Sequence, residues 1–507
     1  MREKKDRREK KLKKSRRQAP MQEPELVSTD ETSTKRKRTR KKVNREISFI
    51  AYFFVIIFLC LLGYVTKFII VDSPKVINSS YNKRQDLLEQ SVERGMILGS
   101  KGEVLAKTTY DKNDNMERVY PYDGLFSHTV GRYLKTKTGL ENNMTFTLLT
   151  SSINPIEKIF NDIRGERSKG DNVVTTLDVN LQETASKALG NNKGAVVVME
   201  PSTGKILAMV SKPTYNPNTV EQNWESLIAD DNNDSSLVNR ATQGTYPPGS
   251  IYKIVTALGY MRRFPNDYED FTYECDGKYE IGDDVVKCAN GVHHGTVNLE
   301  QAFAKSCNGA FAKMLSKMNI DEFNKTNKDL LFNSSFDFDF TVRSPSFTLK
   351  SGDSKSLEAR TAIGQGDTTT NPMHFAMIAS AIANDGVLMK PYLVDHIENY
   401  SGTTISTTAT KSLGNLMTKE EAEKLTSLME GVIKNGTATT LKSSRYTVAG
   451  KTGTAETAGA NPYSWFVGFA GKDNPDIVVS ICVENAGASS TYSLPIAKKI
   501  LNAYYKN

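Results

Sequence analysis

A chain of 507 residues that is 38% hydrophobic and 24% charged is long enough for one large globular domain and something smaller. The net charge of +8 is unevenly spread: residues 1–45 hold 19 Lys/Arg against 7 Asp/Glu, a local +12, which leaves −4 for the remainder. The basic character belongs to a tail and the body is mildly acidic; such basic runs can bind nucleic acid, but the apolar segment that follows decides against it here.

Residues 1–46 have almost nothing apolar to bury, so they read as a disordered tail. From Ile47 to Thr66 there are 20 residues without a charge, rich in Phe, Ile, Val and Leu. As a helix they span about 30 Å, the thickness of a bilayer's hydrocarbon core. A single transmembrane helix is expected over 47–70. The basic cluster ending at Arg45 outweighs Lys67, which places the tail in the cytoplasm and everything after Val71 outside. A cleaved signal peptide would have a shorter apolar region ending in small residues, unlike Lys67-Phe68-Ile69-Ile70.

Residues 71–170 are polar and mixed, with short strands expected at 96–98 and 103–105 around a Ser100-Lys101-Gly102 turn. They suggest a small, membrane-proximal, non-catalytic module. The denser pattern over 171–507 suggests one further domain. Residues 172–177 read as a strand, and Asp178 as the N-cap of a helix over 179–189. Residues 194–200 read as a buried strand, 201–204 as a turn and 205–210 as the return strand. Late in the chain, 464–470 and 477–483 form a second apolar hairpin, and the middle reads as largely helical. Strands from both ends around a helical centre imply an α+β domain whose sheet joins early and late strands.

Tyr246-Pro247-Pro248-Gly249-Ser250-Ile251-Tyr252-Lys253 carries the first chemical signal. Two prolines suit a helix start, where the first N–H groups need no partner. Ser250 then sits in the first turn with Lys253 on the same face. A serine hydroxyl needs a base to become a nucleophile, and a lysine serves once burial lowers its pKa. Ser-x-x-Lys is weak alone, because Ser80–Lys83 and Ser202–Lys205 repeat it. Ser306-Cys307-Asn308 and Lys451-Thr452-Gly453-Thr454 follow in order, although Ser152-Ile153-Asn154 and Lys137-Thr138-Gly139 echo them. Each motif alone is most simply a polar turn. The three in this order form a specific set.

That set resembles the penicillin-binding proteins, specifically the class B peptidoglycan transpeptidases. Arg94-Gly95-Met96-Ile97, residues 194–210, Ile363-Gly364-Gln365-Gly366 and Ala383-Asn384-Asp385-Gly386 are also similar to that family. Gly99-Ser100 stand where the family often has Asp-Arg, and the module is short. The resemblance implies a penicillin-binding or serine β-lactamase-like fold, an antiparallel sheet flanked by helices, with no cofactor for catalysis. It also implies the roles. Ser250 attacks the penultimate D-alanine carbonyl of a stem peptide, and Lys253 is the base. Ser306 relays the proton, and Asn308 positions Lys253 and the substrate amide. Lys451, Thr452 and Thr454 bind the terminal carboxylate beside Gly453. Backbone N–H groups of Ser250 and Thr454 form the oxyanion hole. β-Lactams would trap Ser250, and a membrane glycan polymerase of the shape, elongation, division and sporulation (SEDS) type is the implied partner. A carboxypeptidase or β-lactamase-like hydrolase uses the same motifs, but no Glu-x-x-Leu-Asn is present to activate a deacylating water. A β-lactam sensor or scaffold is the non-catalytic alternative.

Of the five cysteines, Cys60 falls in the apolar helix and Cys482 on an apolar strand. Cys275, Cys288 and Cys307 fall within 33 residues, with His293-His294 among them. Three thiolates and His294 would make a closed structural zinc site, which some class B relatives resemble. A Cys275–Cys288 disulfide, leaving Cys307 free, is the rival.

Overall fold

The structure, a computed structural model, describes residues 30–68, 89, 92–152, 163, 167–230, 234–282, 284–336, 338–457 and 460–506, with side chains from residue 45 onward. Ser80–Lys83 lies outside the described residues, as does most of Ser152-Ile153-Asn154. Two compact units divide at Val76/Ile77.

In the first unit, helix α1 (Asp30–Lys67) begins well before Ile47, so residues 30–46 are helical where a disordered tail was expected. Lys and Arg are good helix formers, and extending an existing helix avoids the cost of nucleation. Within Arg45–Lys67 an 18-residue window reaches a mean hydropathy of 2.5, and none of that window is buried. Phe49 is 74% exposed and Phe54 63%, an apolar surface whose natural solvent is lipid. Among the described residues, one helix, α1, is long and apolar enough to cross a membrane.

The second unit holds two larger sheets. In chain order come β1 (Ile97–Leu98), β2 (Val104–Tyr110), β3 (Met116–Val119), β4 (Asn172–Thr175), α2 (Val179–Leu189), β5 (Gly194–Met199) and β6 (Ile206–Lys212). Next are α3 (Lys253–Arg263), β7 (Thr272–Cys275), β8 (Lys278–Ile281), β9 (Asp284–Lys287), β10 (Gly295–Asn298), α4 (Leu299–Ala304), α5 (Asn308–Ser316) and α6 (Pro372–Ala383). The chain closes with β11 (Val394–Glu398), β12 (Thr404–Thr407), α7 (Lys419–Asn435), β13 (Thr447–Thr457), β14 (Ala460–Gly471), β15 (Pro475–Val483) and α8 (Ser493–Tyr504).

The five-stranded sheet runs β13-β14-β15-β5-β6, antiparallel throughout, and joins early and late strands as expected. Every residue of β5 is buried, which explains its unbroken apolar run. Helix α6 is buried along 372–382 and packs on β5, β14 and β15. Helices α2 and α8 pack on each other and on this sheet. Asp178 caps α2 by accepting from the Leu181 N–H at 2.9 Å.

The six-stranded sheet runs β12-β11-β4-β1-β2-β3, with only β1 and β4 parallel. It takes strands from the membrane-proximal stretch and from beyond residue 171, so the boundary expected at 170 falls inside a shared sheet. Beside it lies a buried ion cluster. Glu141, with no exposed surface, accepts from Arg94 Nε and Arg118 Nε, both at 2.7 Å. Burial alone would raise the Glu141 pKa, but the two guanidinium charges outweigh it and hold the carboxylate below its ordinary value. Replacing one member of such a cluster leaves the others buried and unpaired. Glu141→Gln is therefore expected to cost about 3 kcal/mol, read from the urea midpoint of the detergent-solubilised chain. A loss below about 1 kcal/mol, the value of an exposed pair, would contradict this.

Candidate active site

The turn that carries Ser250 is clamped from two sides. Gly249 has φ +55, and a Cβ there would stand 2.7 Å from the Thr454 carbonyl oxygen on β13. Its N–H donates to the Gly364 carbonyl at 2.9 Å. A Cβ on Gly364, itself at φ +74, would come within 2.1 Å of the Gly249 oxygen. The first turn, Gly249–Tyr252, is a 3-10 turn rather than the expected α-helix, and α3 begins at Lys253. Trp465 Nε1 anchors the approach by donating to the Pro247 carbonyl at 3.1 Å. Arg240 and Tyr246 reach the sheet through Glu484 Oε1, at 2.8 and 2.6 Å. Ser250 itself is half-buried.

Lys253 is fully buried at the start of α3. Its Nζ meets the Ser306 carbonyl at 2.7 Å, Asn308 Oδ1 at 2.6 Å and Ser306 Oγ at 3.1 Å. Burial pulls its pKa down to about 7, against the smaller opposing influence of Cys307 and Cys288. A neutral amine has two N–H donors, enough for the two oxygens, and a lone pair that can accept from the Ser306 hydroxyl. Lys451 is also fully buried, and its Nζ donates to Ser306 Oγ at 2.9 Å and to the Thr452 carbonyl at 3.1 Å. Burial, then the charge of Lys253, holds Lys451 well below its ordinary value.

Ser306 is the link between the two lysines. It sits between α4 and α5 at φ +57, a left-handed conformation that a non-glycine residue adopts at a cost of about 1–2 kcal/mol. That twist turns both its carbonyl and its hydroxyl toward Lys253. Asn308 opens α5 and is held by its Nδ2, which donates to the Lys287 carbonyl at 2.7 Å. Thr452 Oγ1 lies 2.6 Å from Thr437 Oγ1, and Ser489 Oγ donates to the Gly453 carbonyl at 2.8 Å. Gly453 packs against Ile251, while Thr454 is exposed. All three motifs thus converge. The echoes do not: Lys205 pairs with Asp395, and Lys137 with Glu89. Thr437 and Glu484 carried no motif and were not foreseen.

Cys275, Cys288, His294 and Cys307 also converge, their ligand atoms all within 4.8 Å of one another. Cys275 Sγ stands 3.6 Å from Cys288 Sγ and 3.4 Å from His294 Nδ1, and Cys288 Sγ is 3.9 Å from Cys307 Sγ. The cysteines are unbridged. The segment is built from the antiparallel pairs β7–β10 and β8–β9, not from the helix expected of the chain's middle. Of the Cys288–Cys307 pair, Cys288 is held toward thiolate by the Cys307 thiol and by backbone N–H groups at the start of α5.

The tight packing at Gly364 makes it a remote test of the site. Gly364→Ala would push the Ser250 turn out of its place between Gly364 and β13. Acylation by penicillin is expected to slow about 100-fold, the usual cost of misplacing a reacting group by about 1 Å. A rate unchanged from the parent, in a variant that melts normally, would contradict this.

The pattern of the family described as "Penicillin binding protein transpeptidase domain" matches residues 194–505. Peptidoglycan D,D-transpeptidase PbpA of Mycolicibacterium smegmatis is 31% identical over 440 residues, which are 80% of this chain and 87% of that protein. The D,D-transpeptidase domain structure from Eggerthella lenta is 32% identical with TM-score 0.74, covering 82% of this chain and 99% of that one. Penicillin-binding protein A of M. tuberculosis, solved as a penicillin G acyl-enzyme complex, is 29% identical with TM-score 0.74, covering 82% and 100%. With its three motifs gathered around Ser306, the chain belongs to the penicillin-binding protein transpeptidase family, among the class B members.

Proposed function

We propose that the chain is a membrane-anchored peptidoglycan D,D-transpeptidase that acts through an acyl-enzyme on Ser250. The observation that carries this is the Ser306 hydroxyl, 3.1 Å from Lys253 Nζ and 2.9 Å from Lys451 Nζ, which brings one residue of each motif to a single hydroxyl. It joins the lysine that would take a proton to a second lysine, Lys451, which a substrate carboxylate would draw back toward its charged form.

Neutral Lys253 removes the Ser250 proton as Oγ attacks the penultimate D-alanine carbonyl of a stem peptide. N–H groups of Ser250 and Thr454 hold the oxyanion, a donor pair whose members are each worth about 10²–10³ in rate. The proton passes from Lys253 through Ser306 Oγ to the departing D-alanine. Asn308 keeps Lys253 in place, and Lys451, Thr452 and Thr454 bind the terminal carboxylate across Gly453. An amine of a neighbouring stem then takes the acyl group, closing a cross-link. A β-lactam, shaped like the D-alanyl-D-alanine end, stops the cycle at the acyl-enzyme. The basic flank of α1 favours a cytoplasmic N-terminus with this site outside. Nascent strands would come from the SEDS-type glycan polymerase that the family resemblance implies.

Labelled penicillin tests the nucleophile. The adduct is expected on the peptide holding Ser250, absent in Ser250→Ala and stable for many minutes. An adduct on another serine contradicts the assignment, and turnover within seconds favours a hydrolase.

A structural zinc at Cys275, Cys288, His294 and Cys307 belongs to the same proposal. Ligands about 2.3 Å from a tetrahedral ion place its sulfurs about 3.8 Å apart, close to the 3.6 and 3.9 Å separations here. Three sulfurs and one imidazole close the site against water, which suits a structural ion. Cys307 lies between Ser306 and Asn308, so a bound ion would hold the loop that both lysines depend on. One zinc per chain is expected by elemental analysis, with three sulfur neighbours and one nitrogen by X-ray absorption. A metal-free chain with a two-proton mass deficit across Cys275 and Cys288 would rule it out.

A further inference from the structure

The inference rests on the function just proposed and concerns how the terminal carboxylate is recognised. Helix α7 ends at Asn435, and Gly436 follows with no room for a side chain, because a Cβ there would lie 2.2 Å from the Ala304 carbonyl oxygen. The next residue, Thr437, is held to that carbonyl by its N–H at 3.3 Å. Its hydroxyl lies 2.6 Å from that of Thr452, although Thr437 is exposed and Thr452 is only 6% exposed. Thr437 thus bridges two elements: its backbone meets the end of α4, two residues before Ser306, and its side chain meets β13.

Each hydroxyl has one hydrogen to donate and lone pairs to accept. If Thr452 donates to Thr437, its hydrogen is consumed within the protein. If Thr437 donates to Thr452, the Thr452 hydrogen is free for a ligand, and the donated bond polarises it. A carboxylate accepts only, so a bound carboxylate selects the second arrangement. Nothing about an exposed position after a helix end requires a hydroxyl, so its contact with Thr452 is the feature to explain. We propose that Thr437 is a positioning residue that directs the Thr452 hydroxyl toward the substrate's terminal carboxylate and so sets selectivity for a free carboxylate end.

The test uses the full chain in detergent and two probes, a labelled penicillin as the free acid and the same penicillin as its methyl ester. Acylation rates are read by mass spectrometry. Thr437→Val keeps the shape and removes the hydroxyl. The free-acid rate is expected to fall about tenfold, because the Thr452 hydroxyl is no longer directed at the carboxylate and their charge-assisted bond weakens, while the ester rate changes by less than about twofold. Thr437→Ser should restore the difference. Equal slowing of both probes would mean a merely structural role and overturn the inference, as would no change in either. If the parent chain is not acylated by the free acid at all, the functional reading fails, and this inference with it.

Discussion

Two lysine side chains buried beside one serine hydroxyl are the constraint on which the rest of this molecule depends. Lys253 and Lys451 are both fully buried, and both reach Ser306 Oγ. Two ammonium ions so placed would repel each other in a medium that screens poorly. Burial therefore acts on both, and each lysine pKa is lowered. Burial that eases Lys253 toward its neutral form makes an amine available, which is what a serine nucleophile needs.

Much of the architecture serves to hold that arrangement. The left-handed φ of Ser306 costs energy that its surroundings must supply. Cys307 supplies part of the support by capping α5 with its sulfur, which accepts from the Ala310 N–H. The neighbouring thiols and His294 tie the same loop to the β7–β10 and β8–β9 pairs. On the other side, β13 is the edge of the five-stranded sheet and packs against the Gly249–Tyr252 turn that carries Ser250.

The local features were legible in the sequence. Asp178 before an amphipathic run predicts a capped helix, and Pro201-Ser202-Thr203-Gly204 between apolar runs predicts a hairpin, because both depend on neighbours in the chain. The three motifs were legible as a set, since order and setting together exceed what short patterns show alone. Most of the features left unread are long-range. Nothing local says that β4 joins β1 in parallel, or that residues 394–407 complete a sheet begun near residue 97. Residues 272–298 carry the turn pairs Asp276-Gly277, Gly282-Asp283 and Asn290-Gly291, and they pair as strands around Cys275 and Cys288; a helical expectation drawn for the whole middle of the chain passed over these local signals. Thr437 escaped notice because its partner, Thr452, is far along the chain and no pattern connects them.

The central claim is that Lys253 works as a neutral base at ordinary pH because it is buried. The rate of Ser250 acylation by penicillin, measured across pH, tests it most directly. Only the neutral amine accepts the serine proton, so the rate should rise with pH and level off with a midpoint near 7. A rate that keeps climbing toward the ordinary lysine value of 10.5 would show that Lys253 is not held neutral, and would contradict the account.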